Sequence, residues 1–343
     1  MKRRIIMPVF ALMAVMGASH VTSALAENGS GPLYGNSKGP LAPKVITSCE
    51  KFTDVRHVAN GAALRNKKSG VIHLRGIPSN SNVLKAYLYW SYIDKNTVGA
   101  ATSKAKFRNK PITGNKIADN LNPGWGNPGW VGDGGTHTYK KDVTDFVNIF
   151  NNPNRNYAFA FKDFDDANSG ENPWSPADFH EIKLEGASLL VIYTNATIEF
   201  STTGKQVFLY DKCLNNTGFF GYQSLTLKHP SISGEGLFTM CGADGQRGVT
   251  GYDNGDQGSN RLSNEKTFFN GIQIAGPPVA ASDWDGSAGL PLPQLWDVHT
   301  HIVGFGASPV NTSALVYKPV CEDACAGDTI VDALVPVFFV LEK

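Results

Sequence analysis

Two histidines and an aspartate at alternate positions are the residues of this chain best suited to chemistry: Asp297, His299 and His301. On a β-strand, alternate side chains project from the same face, so these three are expected to point together. Two imidazoles and one carboxylate suit zinc as ligands. The spacing therefore makes these three residues a candidate metal triad on a strand.

A zinc hydrolase would also need a general base, for which Glu265 and Asp283 are the available guesses. The structural alternative treats the same strand as half-buried, with its acid and histidines on the polar side. Trp296, Val298 and Ile302 would then face inward. The first half of the chain has no matching histidine pair, which favours this alternative.

Two acidic segments form a second candidate site. The first segment contains four acidic side chains and one asparagine within nine residues: Asp163, Asp165, Asp166, Asn168 and Glu171. The second contains Asp253, Asn254 and Asp256 among glycines. Calcium prefers flexible, oxygen-rich loops of this kind, although neither has the spacing of an EF-hand. Since Asp, Asn and Gly also dominate ordinary turns, solvated turns are the alternative.

Other catalytic signatures are missing from the sequence. There is no Gly-x-Ser-x-Gly motif, and Ser188 lies within a segment that reads as a buried strand. No glycine-rich, phosphate-binding loop precedes a helix. The sequence thus predicts no catalytic residue and no cofactor-binding residue, and calcium is the one candidate cofactor.

The first residues read as a signal peptide ending at Ala26. Lys2–Arg4 is a basic start, Ile5–Gly17 is apolar, and Ala24–Ala26 resembles a cleavage site. Without those three basic residues, 28 Lys and Arg remain against 30 acidic residues, a balance of −2. Such a balance argues against nucleic acid as a partner, and no later apolar run has the length of a membrane span. Residues 27–48 are predicted to form a flexible arm.

Export to an oxidising compartment predicts disulfides among the five cysteines. Cys321 and Cys325 are close enough in sequence to pair with each other. Cys213 and Cys241 form the second predicted pair, which leaves Cys49 over. A bond between Cys49 and Cys213 stays open as the alternative.

The segments between these sites read as β-strands. Leu84, Ala86, Leu88 and Trp90 alternate as a core face, while Tyr87 and Tyr89 occupy the opposite face. The segment Glu185–Asn195 has the apolar density of a buried sandwich strand. In contrast, Val143, Phe146, Val147 and Phe150 have helical spacing, with Asp142 placed to cap the helix. The predicted fold is all-β, with two tandem antiparallel β-sandwich, jelly-roll-like domains at 49–203 and 204–343 and one short helix in the first.

Similar segments recur in the same order about 150–160 residues apart, which favours an internal duplication over a solenoid repeat. Phe107-Arg108-Asn109 is echoed by Phe268-Phe269-Asn270, and Leu189–Tyr193 by Val335–Val340. Together with Leu84–Trp90 and Asp142–Val147, these segments resemble a group of exported bacterial proteins of uncharacterised function. That resemblance implies paired β-sandwich domains, often associated with the cell surface, and it supplies no active site.

The function predicted from all this is that of an exported, non-enzymatic structural or adhesive protein of the cell surface or extracellular matrix. The alternatives are a calcium-assisted glycan-binding module and a metal-dependent hydrolase using Asp297, His299 and His301. The predicted partners are a glycan or a surface protein. The predicted location is secreted or cell-surface, with the periplasm as the other option.

Overall fold

A computed structural model describes residues 43–64, 67–94, 103–120, 135–161, 182–214, 219–220, 223–243, 265–286, 288, 296–318 and 333–343. The strands of the first half are β1 (Lys44–Thr47), β2 (Glu50–Thr53), β3 (Arg56–Ala63), β4 (Ser69–His73), β5 (Asn82–Asp94), β6 (Lys104–Phe107), β7 (Lys110–Thr113), β8 (Asn115–Asn120), β9 (Gly135–Asp142), β10 (Asn156–Phe161) and β11 (Ile182–Thr194). A short helix, α1 (Thr144–Asn148), follows β9.

The strands of the second half are β12 (Gln206–Tyr210), β13 (Phe219–Phe220), β14 (Gln223–Ile232), β15 (Glu235–Ala243), β16 (Lys266–Phe269), β17 (Ile272–Ala275), β18 (Trp296–Gly304), β19 (Val310–Lys318) and β20 (Ala333–Glu342). A single 3₁₀ turn, Lys212–Leu214, follows β12. The all-β class predicted from the sequence is confirmed. The division into two sandwich domains stays a prediction.

These strands form four sheets. Sheet I has the order β4-β10-β6-β7, sheet II β3-β11-β5-β9-β8, sheet III β18-β15-β20-β12-β2, and sheet IV β1-β14-β19-β16-β17. Neighbouring strands are antiparallel except β1, which pairs in parallel with β14. The strands β1 and β2, expected in the arm and in the first domain, therefore pair with strands of the second half.

Three buried clusters hold the sheets together as layers. One cluster lies between sheets I and II, a second between sheets II and III, and a third between sheets III and IV. Sheets II and III are thus covered on both faces, so their strands bury both sets of alternating side chains. On β5, Leu88 and Trp90 face sheet I, while Tyr87 and Tyr89 face sheet III. Leu84, expected in the core, is 47% exposed near the start of the strand.

The central strand β11 fits against sheet III through a notch of small residues. The indole of Trp296 on β18 lies over Gly186 and Gly61, and its Nε1 donates a hydrogen bond to Ser188 Oγ at 2.8 Å. A Cβ at Gly186 would lie 2.4 Å from Trp296 Cγ and Cδ2. The missing side chains on sheet II are what admit the fully buried indole.

A buried polar network also joins sheets II and III. Glu342 Oε2 accepts hydrogen bonds from the His57 backbone N–H (3.0 Å) and contacts His57 Nδ1 at 2.7 Å, while Arg56 Nε donates to Oε1 at 2.7 Å. His57 Nε2 lies 2.7 Å from Thr239 Oγ1, which lies 2.8 Å from Thr300 Oγ1. Each buried group in this chain of contacts has a polar neighbour, as burial requires.

The helix and the hairpins follow local rules. Asp142 Oδ1 accepts the Thr144 N–H at 3.0 Å, and Val143 and Val147 are buried. The hairpin β6–β7 turns through Arg108 and Asn109, both with positive φ, as two-residue hairpins of this hand require. The hairpin β16–β17 in the second half turns in the same way at Asn270 and Gly271.

Candidate metal centre

The strand β18 presents an acid and two histidines on one face at the edge of sheet III. Asp297 is fully buried, and the side chains of His299 and His301 are 23% and 16% exposed. The rings of His299 and His301 are nearly parallel, with centroids 6.4 Å apart. Trp296 and Val298 face sheet II, as expected. The expectation that Ile302 faces inward is wrong, because its side chain is 68% exposed.

A second segment, residues 282–286, brings further carboxylates to these histidines. Its anchor is Trp284, which is buried in the cluster between sheets III and IV and packs edge-on against Tyr317, with centroids 5.4 Å apart. The indole also lies against Gly242 on β15, where a Cβ would approach it to 2.0 Å. The anchored tryptophan fixes its two neighbours in sequence, Asp283 and Asp285, beside β18.

The ligand atoms form two groups. In the first, atoms of Asp285, Asp297 and His299 all lie within 4.8 Å of one another. His299 Nε2 is 3.6 Å from an oxygen of each aspartate. In the second, His301 Nε2 lies 2.6 Å from Asp283 Oδ1. Thus Asp283 pairs with His301, while His299 lies between Asp285 and Asp297.

The carboxylates give this site a strongly anionic character. Burial alone would lower the pKa of His299, but Asp285 and Asp297, with the charge of Asp283, outweigh it and raise this pKa to about 11. The same field acts on Glu265, whose oxygen accepts hydrogen bonds from the Trp284 N–H and from the Ser282 hydroxyl. Burial, together with the charges of Asp283 and Asp297, raises the pKa of Glu265 well above its usual value.

The sequence anticipated much of this group but not its pairing. The structure places Asp297, His299 and His301 on one face. Of the two guessed bases, Asp283 belongs to the segment 282–286 and contacts His301, and Glu265 accepts the Trp284 N–H of the same segment. It adds Asp285, which sequence reasoning missed. The signal that could have found it is the alternation of Asp283 and Asp285 around a tryptophan. That the trio binds a metal stays a prediction.

The other predicted site residues lie elsewhere. The residues proposed for calcium, namely Asp163, Asp165, Asp166, Asn168 and Glu171, fall outside the described part of the chain, as do Cys321 and Cys325. So does the second acidic segment.

The pairing of Cys213 with Cys241 is wrong. Cys213, on the 3₁₀ turn after β12, forms a disulfide with Cys49, whose Cα is 6.2 Å away. Cys241 is a free thiol in the middle of β15, buried between sheets II and III, and its Sγ lies 3.3 Å from Ser188 Oγ. Burial raises the pKa of this thiol well above its usual value. The open alternative of Cys49 with Cys213 is therefore the one observed.

None of the helices in the described ranges has the length and hydropathy needed to cross a bilayer. No protein-family model and no curated protein matches this sequence.

Among solved structures, the chain is similar to a peptide-N(4)-(N-acetyl-β-D-glucosaminyl) asparagine amidase at 12% identity, covering 84% of this chain and 96% of that one, with a TM-score of 0.28. PNGase F from Flavobacterium meningosepticum, a glycosylasparaginase, matches at 11% identity with the same coverage and a TM-score of 0.28. A chain of the Sputnik virophage matches at 7% identity over 96% of this chain and 90% of its own, with a TM-score of 0.21. Superpositions of this quality establish neither a shared fold nor a shared activity.

Proposed function

We propose that this protein binds a divalent transition metal, zinc by preference, through Asp285, Asp297 and His299. The observation that carries the proposal is the convergence of three ligand atoms from two separate segments within 4.8 Å. The side chains of Asp285 and Asp297 are more than nine-tenths buried, so the packing around them fixes their positions. A preformed, anionic set of this kind attracts a cation.

The spacing of the ligand atoms supports a metal between them. His299 Nε2 is 3.6 Å from each carboxylate oxygen, which is too long for a hydrogen bond. Ligands about 2.0–2.1 Å from a tetrahedral zinc ion lie roughly 3.4 Å from one another, close to this value. Among the described residues, His299 Nε2 is also a buried nitrogen with no hydrogen-bond partner.

The chemistry of the ligands favours zinc over calcium. An imidazole nitrogen with two carboxylates suits zinc and its neighbours in the transition series. Calcium requires six to eight oxygen ligands and does not use imidazole in this way. The metal-dependent alternative therefore has support at β18, with Asp285 in the ligand set in place of His301.

A second candidate function is metal-assisted hydrolysis. The observation that favours it is the pair of His301 and Asp283, whose Nε2 and Oδ1 atoms are 2.6 Å apart, beside a set that has three ligands among the described residues. Three protein ligands leave a position for water, the pattern of catalytic rather than structural zinc sites. In this role Asp283 orients His301, and His301 accepts a proton from the attacking water.

Elemental analysis of the purified protein tests metal binding. We expect one zinc per chain after dialysis against zinc and then against buffer, and at least a tenfold weaker zinc affinity in His299→Ala and in Asp285→Asn. His73→Ala is the matched control, because His73 is exposed on sheet I, far from β18 in the topology. Zinc retained by His299→Ala at the affinity of the control would refute the assignment.

Hydrolysis is tested separately with the zinc-loaded protein. Activity on a panel of ester, amide and glycoside substrates should fall in His301→Ala while the zinc content stays unchanged. Loss of zinc in that variant would instead make His301 a ligand, and an inactive zinc-loaded wild type across the panel would leave metal binding as the function.

Export and a role at the cell surface belong to the same proposal. They are supported by the basic, apolar and small-residue segments that end at Ala26 and by the observed disulfide. We also propose a structural or adhesive role on this basis, and tandem sandwich domains on the basis of the packed antiparallel sheets. N-terminal sequencing of the mature protein should begin at Glu27, and fractionation should recover it outside the cytoplasm. A glycan array with and without calcium tests the remaining alternative.

A further inference from the structure

A lysine lies between two carboxylates where sheets II and III meet. Lys140, on β9, has its Nζ 2.6 Å from Glu50 Oε1 on β2 and 2.6 Å from Asp211 Oδ2 at the end of β12. The Asp211 side chain is 1% exposed and the Lys140 side chain 14%. Removing these two charges from water costs free energy, which the attraction between Lys140 and Asp211 must offset.

Aromatic residues and a disulfide fix these groups in place. Tyr89 OH donates to Asp211 Oδ2 at 3.0 Å, and Tyr87 OH donates to Glu50 Oε2 at 2.8 Å. The Lys140 Nζ lies 3.7 Å from the centre of the Tyr87 ring. Burial and the charge of Asp211 raise the pKa of Tyr89, so its hydroxyl stays protonated and donates.

The two acids are also tied to each other along the chain. Glu50 follows Cys49 directly, and Asp211 lies two residues before Cys213, the other half of the disulfide. Lys140 lies on β9 of sheet II, whereas Glu50 on β2 and Asp211 directly after β12 belong to sheet III. Because these sheets are packed together, the three groups have little freedom to separate. Reacting groups held at contact distance in this way gain the advantage of an intramolecular reaction.

We propose that Lys140 and Asp211 form an intramolecular isopeptide bond, with Glu50 carrying the proton. Within the ion pair, transfer of a proton from Nζ to the carboxylate gives a neutral amine and a neutral acid. The Nζ lone pair then attacks Asp211 Cγ, forming the C–N bond. Glu50 accepts the second proton from Nζ and delivers it to the departing Oδ2, so that one water molecule leaves and an uncharged amide remains.

The surroundings of Asp211 favour this step. The backbone N–H of Lys212 donates to Asp211 Oδ1 at 2.6 Å, the oxygen that carries negative charge when Nζ attacks Cγ. The amide product removes two charges from a site that excludes most water, which favours it over the ion pair. No redox partner is needed, because the reaction is a dehydration.

Glu50 is the less suitable electrophile of the two acids. Its side chain is 30% exposed, and among the described residues its oxygens contact Tyr87 and Lys140 but accept no backbone N–H. A more hydrated carboxylate with no donor aimed at its second oxygen is better suited to exchange protons. The bond would join β9 of sheet II to sheet III covalently, and it involves none of the residues of the metal centre.

Peptide mapping of the full-length, purified protein tests the proposal. After reduction, alkylation and trypsin digestion, we expect residues 117–141 and 206–212 to appear as one linked species, lighter by one water than the sum of the two peptides. Digestion should leave Lys140 uncleaved, since an amide on Nζ blocks trypsin. Recovery of residues 117–140 and 206–212 as separate peptides in full yield from wild-type protein would overturn the proposal, whatever the variants do.

Two variants test the roles of the individual groups. Lys140→Arg keeps the positive charge but cannot form this amide, so it should yield the free peptide 206–212 quantitatively. Glu50→Gln keeps the shape of the side chain but cannot carry the proton, and the linked fraction should fall at least tenfold after the same incubation. A fully linked Glu50→Gln protein would refute the role of Glu50, and a linked Lys140→Arg protein would refute Lys140 as the nucleophile.

Discussion

Replacing Gly186 with alanine tests how sheets II and III are held together. The added Cβ would lie 2.4 Å from Trp296 Cγ and Cδ2 and 2.8 Å from the Ala62 carbonyl oxygen. Carbon atoms in good contact are about 3.5–4.0 Å apart, so the overlap with the indole exceeds about 1 Å. Neither neighbour can move away easily, because the Ala62 oxygen belongs to the backbone and the indole is fully buried and hydrogen-bonded to Ser188.

The expected loss of stability follows from this geometry. Overpacking a well-filled core costs about 1–3 kcal/mol, and a clash with backbone and with a bonded indole belongs at the upper end, near 3 kcal/mol. Separating the sheets instead would disturb the whole cluster between them, which includes Tyr89, Leu190 and Phe338. Urea unfolding followed by tryptophan fluorescence and by circular dichroism measures the loss as a shift of the midpoint.

Gly304→Ala is the matched control. Gly304 is also a strand residue, on the same β18 as Trp296, but a Cβ there would meet no atom within 4 Å. We expect its free energy of unfolding to change by less than about 0.5 kcal/mol. The double variant Gly186→Ala/Trp296→Ala should lose less than the sum of the two single variants, because the clash is removed with the indole. Equal stability of the Gly186→Ala and Gly304→Ala proteins would refute this account of the interface.

Two further predictions concern the buried network and the disulfide. Burial alone would raise the pKa of Glu342, but His57 and Arg56 outweigh it and lower that pKa in the folded protein. The ionised Glu342 therefore stabilises the fold at pH values above its pKa in the unfolded chain, and this stabilisation is lost as the pH falls through its pKa in the folded protein. Glu342→Gln should therefore cost on the order of 2 kcal/mol at neutral pH and reduce the loss of stability in acid; equal acid dependence in Glu342→Gln and wild type would contradict this. Replacing Cys49 and Cys213 with serine removes a cross-link between residues 164 apart in sequence, so the free energy of unfolding should fall by about 4–5 kcal/mol. Thermal or urea unfolding measures this loss, and adding reductant to the wild-type protein should reproduce it. A double variant as stable as the oxidised protein would disprove it.

Alternation along single strands was enough to predict several features. It placed Ala86, Leu88 and Trp90 together in the core and put Asp297 and His299 on one face. It could not show that the opposite face of β5 is buried as well, because that depends on sheet III packing against sheet II. The burial of Tyr87 and Tyr89 against sheet III could not be predicted for the same reason.

The remaining misses depend on distant parts of the chain. Asp285 reaches His299 because Trp284 is anchored against Gly242 and Tyr317, contacts that no local pattern records. Likewise, Cys213 lies near Cys49 only because β2 adds to the edge of sheet III beside β12. Propensity and spacing describe single elements, whereas these sites arise where two elements meet.

The placement of β1 and β2 in sheets of the second half determines when the chain can complete its fold. Lys44–Thr47 has its hydrogen-bonding partners at Leu225–Lys228, and Glu50–Thr53 pairs with β12. The innermost strand of sheet III, β20, follows all the other described strands of that sheet in the sequence. A ribosome that releases this polypeptide from its N-terminus must therefore deliver the chain through β20 before sheet III can close, and the nascent protein needs protection from premature association until then.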